Sequence, residues 1–309
     1  MKEINYLVTI ITPVYNRAKY IEEVILSVLN QDYPNIEYII LNDGSTDNSL
    51  EIIKKYKDRI TYISHDNIGE TLTVNKGFNM ANGDIIGVIN SDDPLYSNAV
   101  SEIVKLFLNQ KDISIIYPDW NMIDENGEII QEIVTYEYDF INMIRWHHCM
   151  PGPGTFFRKA ILEVLKGRDE NFKYVADFDF WLRAGLEFNF ARIPKVLASF
   201  RVHNLSASID NKGAYMANEH IELIKKLYSY HNLPKILLKY KRESYSSAFF
   251  IASSIVDKNF LFYKTYLLLK SFFLCPIKYF NEYKYRLDII KISFSNSFKS
   301  FFKYKNARN

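Results

Sequence analysis

Cysteine is nearly absent. Cys149 and Cys275 are the only two in 309 residues, too few for a disulfide framework and without the spacing of metal ligands. A reducing cytosol is therefore the expected compartment, and neither thiol is assigned chemistry. Eleven glycines and nine prolines exclude a collagen-like or low-complexity chain. Met1-Lys2-Glu3 leads straight into a strand-like run, so no signal peptide is expected. Long apolar runs are missing too: the longest uncharged stretch of the C-terminal part, Ser244 to Val256, is too short and too rich in serine to cross a bilayer as a helix. Against these absences stand 23 tyrosines and 22 phenylalanines, in a chain also rich in Lys, Ile and Asn, a bias we attribute to AT-rich coding. With 48% hydrophobic and 24% charged residues the chain is globular, long enough for one large α/β domain with a helical extension or for two modest domains.

The net charge of +2 conceals an asymmetry. Up to His220 there are 21 basic and 31 acidic side chains, whereas beyond it there are 17 and 5. A basic, aromatic tail on an acidic body points to an anionic surface as partner. Without any nucleic-acid motif, peripheral contact with an anionic membrane is expected and nucleic acid is not.

The first hundred residues alternate buried-strand patterns with amphipathic stretches. LVTIIT (7–12), IEYIIL (36–41), ITYIS (60–64) and DIIGVI (84–89) are continuous apolar runs, as parallel strands covered on both faces require. Helices are expected between them at about 17–30, 46–57 and 70–81. Such alternation predicts a doubly wound sheet with ligands at the carboxyl ends of its strands. There stand TPVYNR (12–17), NDGSTD (42–47), HDNIGE (65–70) and NSDDP (90–94). From about 111 the pattern turns mixed. ISIIYPDW and NMIDENGEII flank a hairpin turn at Asn126-Gly127, PGPGTFFR (151–158) enters a strand, and KAILEVL and ADFDFWLRAGL (176–186) read as helices. ARIPKVLASFRVH (191–203) reads as a strand or hairpin, and helices dominate beyond 212.

Asp92 and Asp93 follow the fourth strand, where Pro94 breaks pairing and is expected to leave both carboxylates exposed. Adjacent acids repel unless a cation neutralises them, and Mg²⁺ or Mn²⁺ held by one or two carboxylates plus diphosphate oxygens meets that need. A solvated turn or helix cap is the other reading. Asp43 follows the second strand beside Gly44, as a turn residue or as an acceptor for a base or ribose. Asp47 reads as a cap. Gly152 and Gly154 allow close backbone approach, and Trp146, His147 and His148 read as acceptor-site or packing residues.

Taken together, VTIITPVYN, SVLNQDYPNIEYIILNDGSTD, Asn75-Lys76-Gly77, GDIIGVINSDDPL, PGPGTFFR, ADFDFWLR and FRVHNLSAS resemble a family 2 glycosyltransferase of GT-A fold, over roughly residues 7–208. The resemblance implies an inverting, metal-dependent enzyme that uses a nucleotide-sugar. Its metal motif falls on Ser91-Asp92-Asp93, so that Asp93 would hold Mn²⁺ or Mg²⁺ while Asp92 would lie near the ribose or share the metal shell. Asp43 would contact the nucleobase, Thr12, Pro13 and Tyr15 would frame the nucleotide, and Asp66, Asn67 and Lys76 would complete the donor pocket. The family's glutamate-aspartate base motif aligns with Ala176-Asp177. The glutamate is replaced, which leaves Asp177 as the base and Asp179 as its competitor. His203 would sit near metal and diphosphate, and Arg201 and Arg183 are candidates to face the diphosphate. Asn142-Met-Ile-Arg145-Trp146 only superficially resembles the family's processive Gln-x-x-Arg-Trp motif, so single-sugar addition is expected.

The implied fold is α/β, a GT-A-like doubly wound mixed sheet with a helical C-terminal extension. A catalytic domain of residues 1–210, with a nucleotide-sugar half to about 110 and an acceptor half over 111–210, would precede a basic helical region of 211–309. The implied reaction is transfer from a nucleotide-sugar, with UDP as the expected nucleotide, to a glycan or lipid-linked glycan acceptor in bacterial surface polysaccharide synthesis. It would occur in the cytoplasm or on the inner membrane face. A sugar nucleotidyltransferase and an inactive glycan-binding module are the rival readings.

Overall fold

The computed structural model describes residues 5–203, 213–256 and 260–276. Strands β1 (Val8–Val14), β2 (Ile36–Asp43), β3 (Thr61–His65) and β4 (Ile85–Val88) alternate with helices α1 (Ile21–Leu29), α2 (Ser49–Lys54) and α3 (Glu70–Met80). They form a parallel half-sheet in the order β3-β2-β1-β4. Every residue of β1 is buried, as the unbroken apolar run requires of a strand with neighbours on both sides and helices on both faces. On one face α1 contributes Ile21, Val24, Ile25 and Val28, one helical stripe, and α4 (Ala99–Asn109) contributes Val100, Ile103, Val104 and Phe107. On the other face α3 crosses so closely that a Cβ on Gly77 would stand 2.5 Å from Ile11 Cγ2.

After β4 the sheet becomes mixed. Strand β7 (Phe156–Arg158) pairs antiparallel with β4 and with β5 (Ile113–Ile123), which carries β6 (Ile129–Ile133) as a hairpin partner. The turn falls where Asn126-Gly127 predicted it, with Gly127 at φ +90° and the Asp124 carboxylate accepting from the backbone N–H groups of Asn126 and Glu128. Residues 191–203, readable as strand or hairpin, enter a single long strand, β8 (Asn189–Arg201), parallel to β5. Helices α5 (Phe140–Trp146), α6 (Ala160–Leu165) and α7 (Ala176–Ala184) lie between.

Beyond residue 212 the described elements are helices: α8 (Gly213–Leu227), α9 (Lys235–Leu238), α10 (Lys241–Ile255) and α11 (Leu261–Leu274). The serine-rich run becomes α10, and reciprocal bonds lock it to α11. Ser246 Oγ donates to the Ser271 carbonyl at 2.8 Å, and Ser271 Oγ to that of Ser246 at 2.7 Å. Among the described residues no helix is long and apolar enough to cross a membrane. The chain divides into two compact units, one of Met1–Met143 with His148–Arg201, the other of Ile144–His147 with Val202–Asn309.

Candidate active site

The carboxyl ends of β1 and β2 are tied into one rim. Asn16, at φ +53°, accepts from Thr46 N at 2.8 Å and donates its own N–H to Ser45 Oγ at 3.0 Å. Arg17 N donates to Ser49 Oγ and Ala18 N to the Asp47 carboxylate, which also caps Ser49 N. These bonds explain why α1 and α2 start later than their sequence patterns suggest: residues 16–18 and 45–47 build the rim. Thr12 is fully buried and shares a 3.2 Å hydrogen bond with the Tyr38 hydroxyl. Pro13 is tolerated in a central strand because β4 pairs only as far as Ile11, so its missing N–H faces no partner. Tyr15 is 46% exposed at the rim.

Asp43 ends β2 with its side chain 3% exposed. One carboxylate oxygen accepts from Ile68 N at 2.7 Å and the other from Gly69 N at 3.0 Å, so the acid shapes the loop that launches α3. Gly44, at φ +68°, lets that loop approach: a Cβ there would stand 2.6 Å from Asn67 N. Asn67 donates to the Asp43 carbonyl, and both Asp66 and Asn67 are exposed on the loop. Lys76, half-buried on α3, has no hydrogen-bond or ion-pair partner among the described residues.

The acidic pair departs from expectation. Asp93 is 5% exposed, not open to solvent, because β8 closes over it: Arg201 N donates to one carboxylate oxygen at 2.8 Å and Asn90 Nδ2 to the other at 2.9 Å. Burial, and then the neighbouring Asp92 charge, push its pKa up to about 8. Asp92 is half-buried and ion-paired with Arg17 Nε at 3.1 Å. Arg201 does not face a diphosphate. Its guanidinium donates to the carbonyls of Asp92 and Asp124 and to Glu23 at 2.6 Å, and lies 5.0 Å from the Tyr20 ring centroid. Arg17 and Arg201 are thus the organisers of the acidic turn, roles that residue type alone did not reveal.

Among the described residues no three His, Cys, Asp or Glu side chains are grouped to hold a metal. The donor set nevertheless fits a Mg²⁺-type site, in which one or two carboxylates bind and the remaining positions go to water and diphosphate. Two adjacent acids, one with its pKa raised, are the arrangement that a cation returns to the charged form. His203 is buried two residues past β8, within the second unit.

The other candidate acid is carried by α7, and α3 anchors the loop before it. Asn75 Nδ2 donates to the Arg168 carbonyl, Arg168 N to Asn75 Oδ1 and Thr71 Oγ1 to the Phe172 carbonyl, while Arg168 pairs with Glu70. The loop shaped by Asp43 and the loop leading to Asp177 therefore share one helix. Asp177 is exposed in the first turn of α7 and, among the described residues, accepts only from the adjacent Phe178 N. Asp179 is 2% exposed and bound to Arg183 Nε at 2.7 Å. Arg183 in turn donates to the carbonyls of Leu165 and Gly167, so neither member of that pair faces a diphosphate. Near Asp177, burial and then the Asp177 charge raise the Cys149 thiol well above its usual range. His147 bonds His220 at 2.8 Å, while the His148 ring packs edge-on to Tyr136. Gly152 lies against the Trp120 indole, as close backbone approach requires.

A parallel half-sheet with an acidic turn at its carboxyl edge, extended by a mixed half, is a GT-A-like fold. Two solved structures share it: Staphylococcus aureus TarS 1-349 in complex with UDP-GlcNAc (TM-score 0.64, 17% identity, 86% of this chain and 89% of that one) and the Pyrobaculum calidifontis mannosyltransferase PcManGT in complex with GDP-Man and Mn²⁺ (TM-score 0.59, 17% identity, 88% and 86%). An uncharacterised glycosyltransferase of Methanocaldococcus jannaschii is 30% identical over 74% of this chain and 78% of its own length. Residues 9–165 match the model of glycosyl transferase family 2. The chain belongs to that family and is a glycosyltransferase.

Proposed function

We propose that the protein transfers a single sugar, with inversion, from a nucleotide-sugar to a hydroxyl of a glycan or lipid-linked glycan acceptor. Uridine is the nucleotide we favour, and bacterial surface polysaccharide synthesis, at the inner face of the cytoplasmic membrane, the setting. The observation that carries the reading is the Asp92-Asp93 turn, held by Asn90 and Arg201 beside the bonded rim of β1 and β2. The metal- and nucleotide-sugar-bound complexes of the two structural neighbours support the donor class.

In this reading Asp93, with Asp92, would hold Mn²⁺ or Mg²⁺, which would supply Lewis-acid stabilisation of the leaving diphosphate. Thr12, Pro13, Tyr15 and Asp43 frame the nucleotide, and Asp66, Asn67 and Lys76 border the donor. The Lys76 ammonium, with no partner among the described residues, is available for the diphosphate charge. The Asp177 carboxylate accepts the proton of the acceptor hydroxyl as that oxygen bonds to the anomeric carbon and the diphosphate leaves from the opposite face. Asp179, committed to Arg183, is unsuited to that role. The catalytic domain we assign is residues 1–210.

Incubating the full-length protein with a panel of nucleotide-sugars and Mn²⁺, and following sugar release and free nucleoside diphosphate, tests the reading. Metal-dependent release of both from one donor, lost in Asp93→Ala, is expected. Pyrophosphate chemistry would mean a nucleotidyltransferase, and silence with every donor an inactive binding module.

A further inference from the structure

Helix α11 has two faces of opposite character. Leu267 and Ser271 are buried toward α10. On the opposite side Phe262 is 96% exposed, Tyr266 49%, Leu269 50% and Phe273 71%. Spaced at i, i+4, i+7 and i+11, these four form one narrow stripe. Taking about 200 Å² for a fully exposed ring, it presents on the order of 500 Å² of apolar surface to water, at the upper end for the largest patch on a soluble monomer. No charged residue interrupts it. Lys270 flanks it, with its Nζ 4.6 Å from the Tyr266 ring centroid, so its stem lines the stripe while its charge stays at the edge.

We propose that this outward face of α11 seats in the interfacial region of an anionic bilayer. Charge selects that occupant among those an apolar stripe admits. Residues 221–309 carry 17 basic and 5 acidic side chains, so a second copy would set two strongly positive surfaces together. Residues 277–309, which follow α11 in sequence, hold eight basic and two acidic residues and share the sign of Lys270. An acidic headgroup layer over acyl chains satisfies Lys270, the basic excess of this region and the aromatic stripe at once. Duplex nucleic acid would answer the charge but leave the stripe in water. The 14-residue helix, about 21 Å long at 1.5 Å per residue, lies in the interface and does not span it. The surface is independent of which donor or acceptor the enzyme uses.

The test is co-sedimentation of the full-length protein with vesicles of phosphatidylcholine alone or mixed with phosphatidylglycerol, against the double variant Phe262→Ser/Phe273→Ser. Both side chains are exposed, so the variant should keep the wild-type melting curve. We expect binding to the mixed vesicles, weakening as salt is raised, and at least a tenfold loss of affinity in the variant. Equal binding to both vesicle types, no binding, or a variant that binds like wild type would overturn the proposal. So would a protein that light scattering shows to be a dimer dissociated by the double substitution, or one that prefers single-stranded nucleic acid to the mixed vesicles.

Discussion

Replacing Arg201 by Met tests how the acidic turn is held. The guanidinium is enclosed, with its side chain 1% exposed. It donates to the carbonyls of Asp92 and Asp124 at 3.0 and 3.1 Å, and to the half-exposed carboxylate of Glu23. Methionine keeps much of the apolar stem and removes all three bonds. Losing the bond to the Asp92 carbonyl costs about 1–3 kcal/mol, losing that to the Asp124 carbonyl costs less because Gly127 N still donates to it at 3.2 Å, and the lost contact with Tyr20 adds about 1 kcal/mol. Glu23 regains water, so its share is small. A total of about 2–4 kcal/mol, at about 2–4 °C per kcal/mol for a unit of this size, lowers the melting temperature by about 4–16 °C. The backbone N–H of residue 201 still reaches Asp93, but the positive charge that opposes the rise in its pKa is gone. Calorimetric titration of UDP with Mn²⁺, below the melting range, should therefore show affinity reduced tenfold or more. Arg201→Lys, which keeps the charge but not the fork, should lie nearer wild type in binding than in stability. An Arg201→Met protein that melts within about 2 °C of wild type and binds UDP with Mn²⁺ normally would refute this account of the turn.

Asp177→Asn should lower transfer by about 10²–10⁴-fold with UDP affinity unchanged, whereas normal turnover would remove Asp177 as the base. Asp179→Asn should instead cost about 3 kcal/mol in denaturant unfolding, because Arg183 loses its buried partner, and an unchanged midpoint would show that the pair is not structural. His220 is held neutral by burial, its pKa lowered to about 4, while its Nδ1 shares a hydrogen bond with His147. The unfolded chain, titrating near 6.5, binds the extra proton first. Its contribution is thus complete above about pH 6.5 and is lost as pH falls toward 4, by about 3 kcal/mol at most. Denaturant unfolding between pH 6.5 and 5 should show a slope that His220→Gln removes; an identical slope in the variant would assign it to other groups.

Sequence by itself determined the parallel half-sheet, since continuous apolar runs such as 7–12 and 36–41 can only be satisfied by strands covered on both faces. It also determined the hairpin at Asn126-Gly127, where Gly127 takes the positive φ that the turn demands, and the strand-end positions of Asp43, Asp92 and Asp93. Turn chemistry and periodicity are local, so they can be read locally. Only the tertiary structure decided what those side chains face. Asp93 looked exposed beside Pro94 but is covered by β8, a strand that arrives more than a hundred residues later. Arg201 and Arg183 were candidate phosphate ligands by residue type, yet both are consumed by carbonyls and carboxylates that distant segments bring to them. The choice between Asp177 and Asp179, two residues apart on one helix, rests on which face of α7 meets the core: one carboxylate is left at the surface and the other is buried against its arginine. A side chain's neighbours across the fold set its charge state and its freedom to react, and long-range pairing supplies those neighbours.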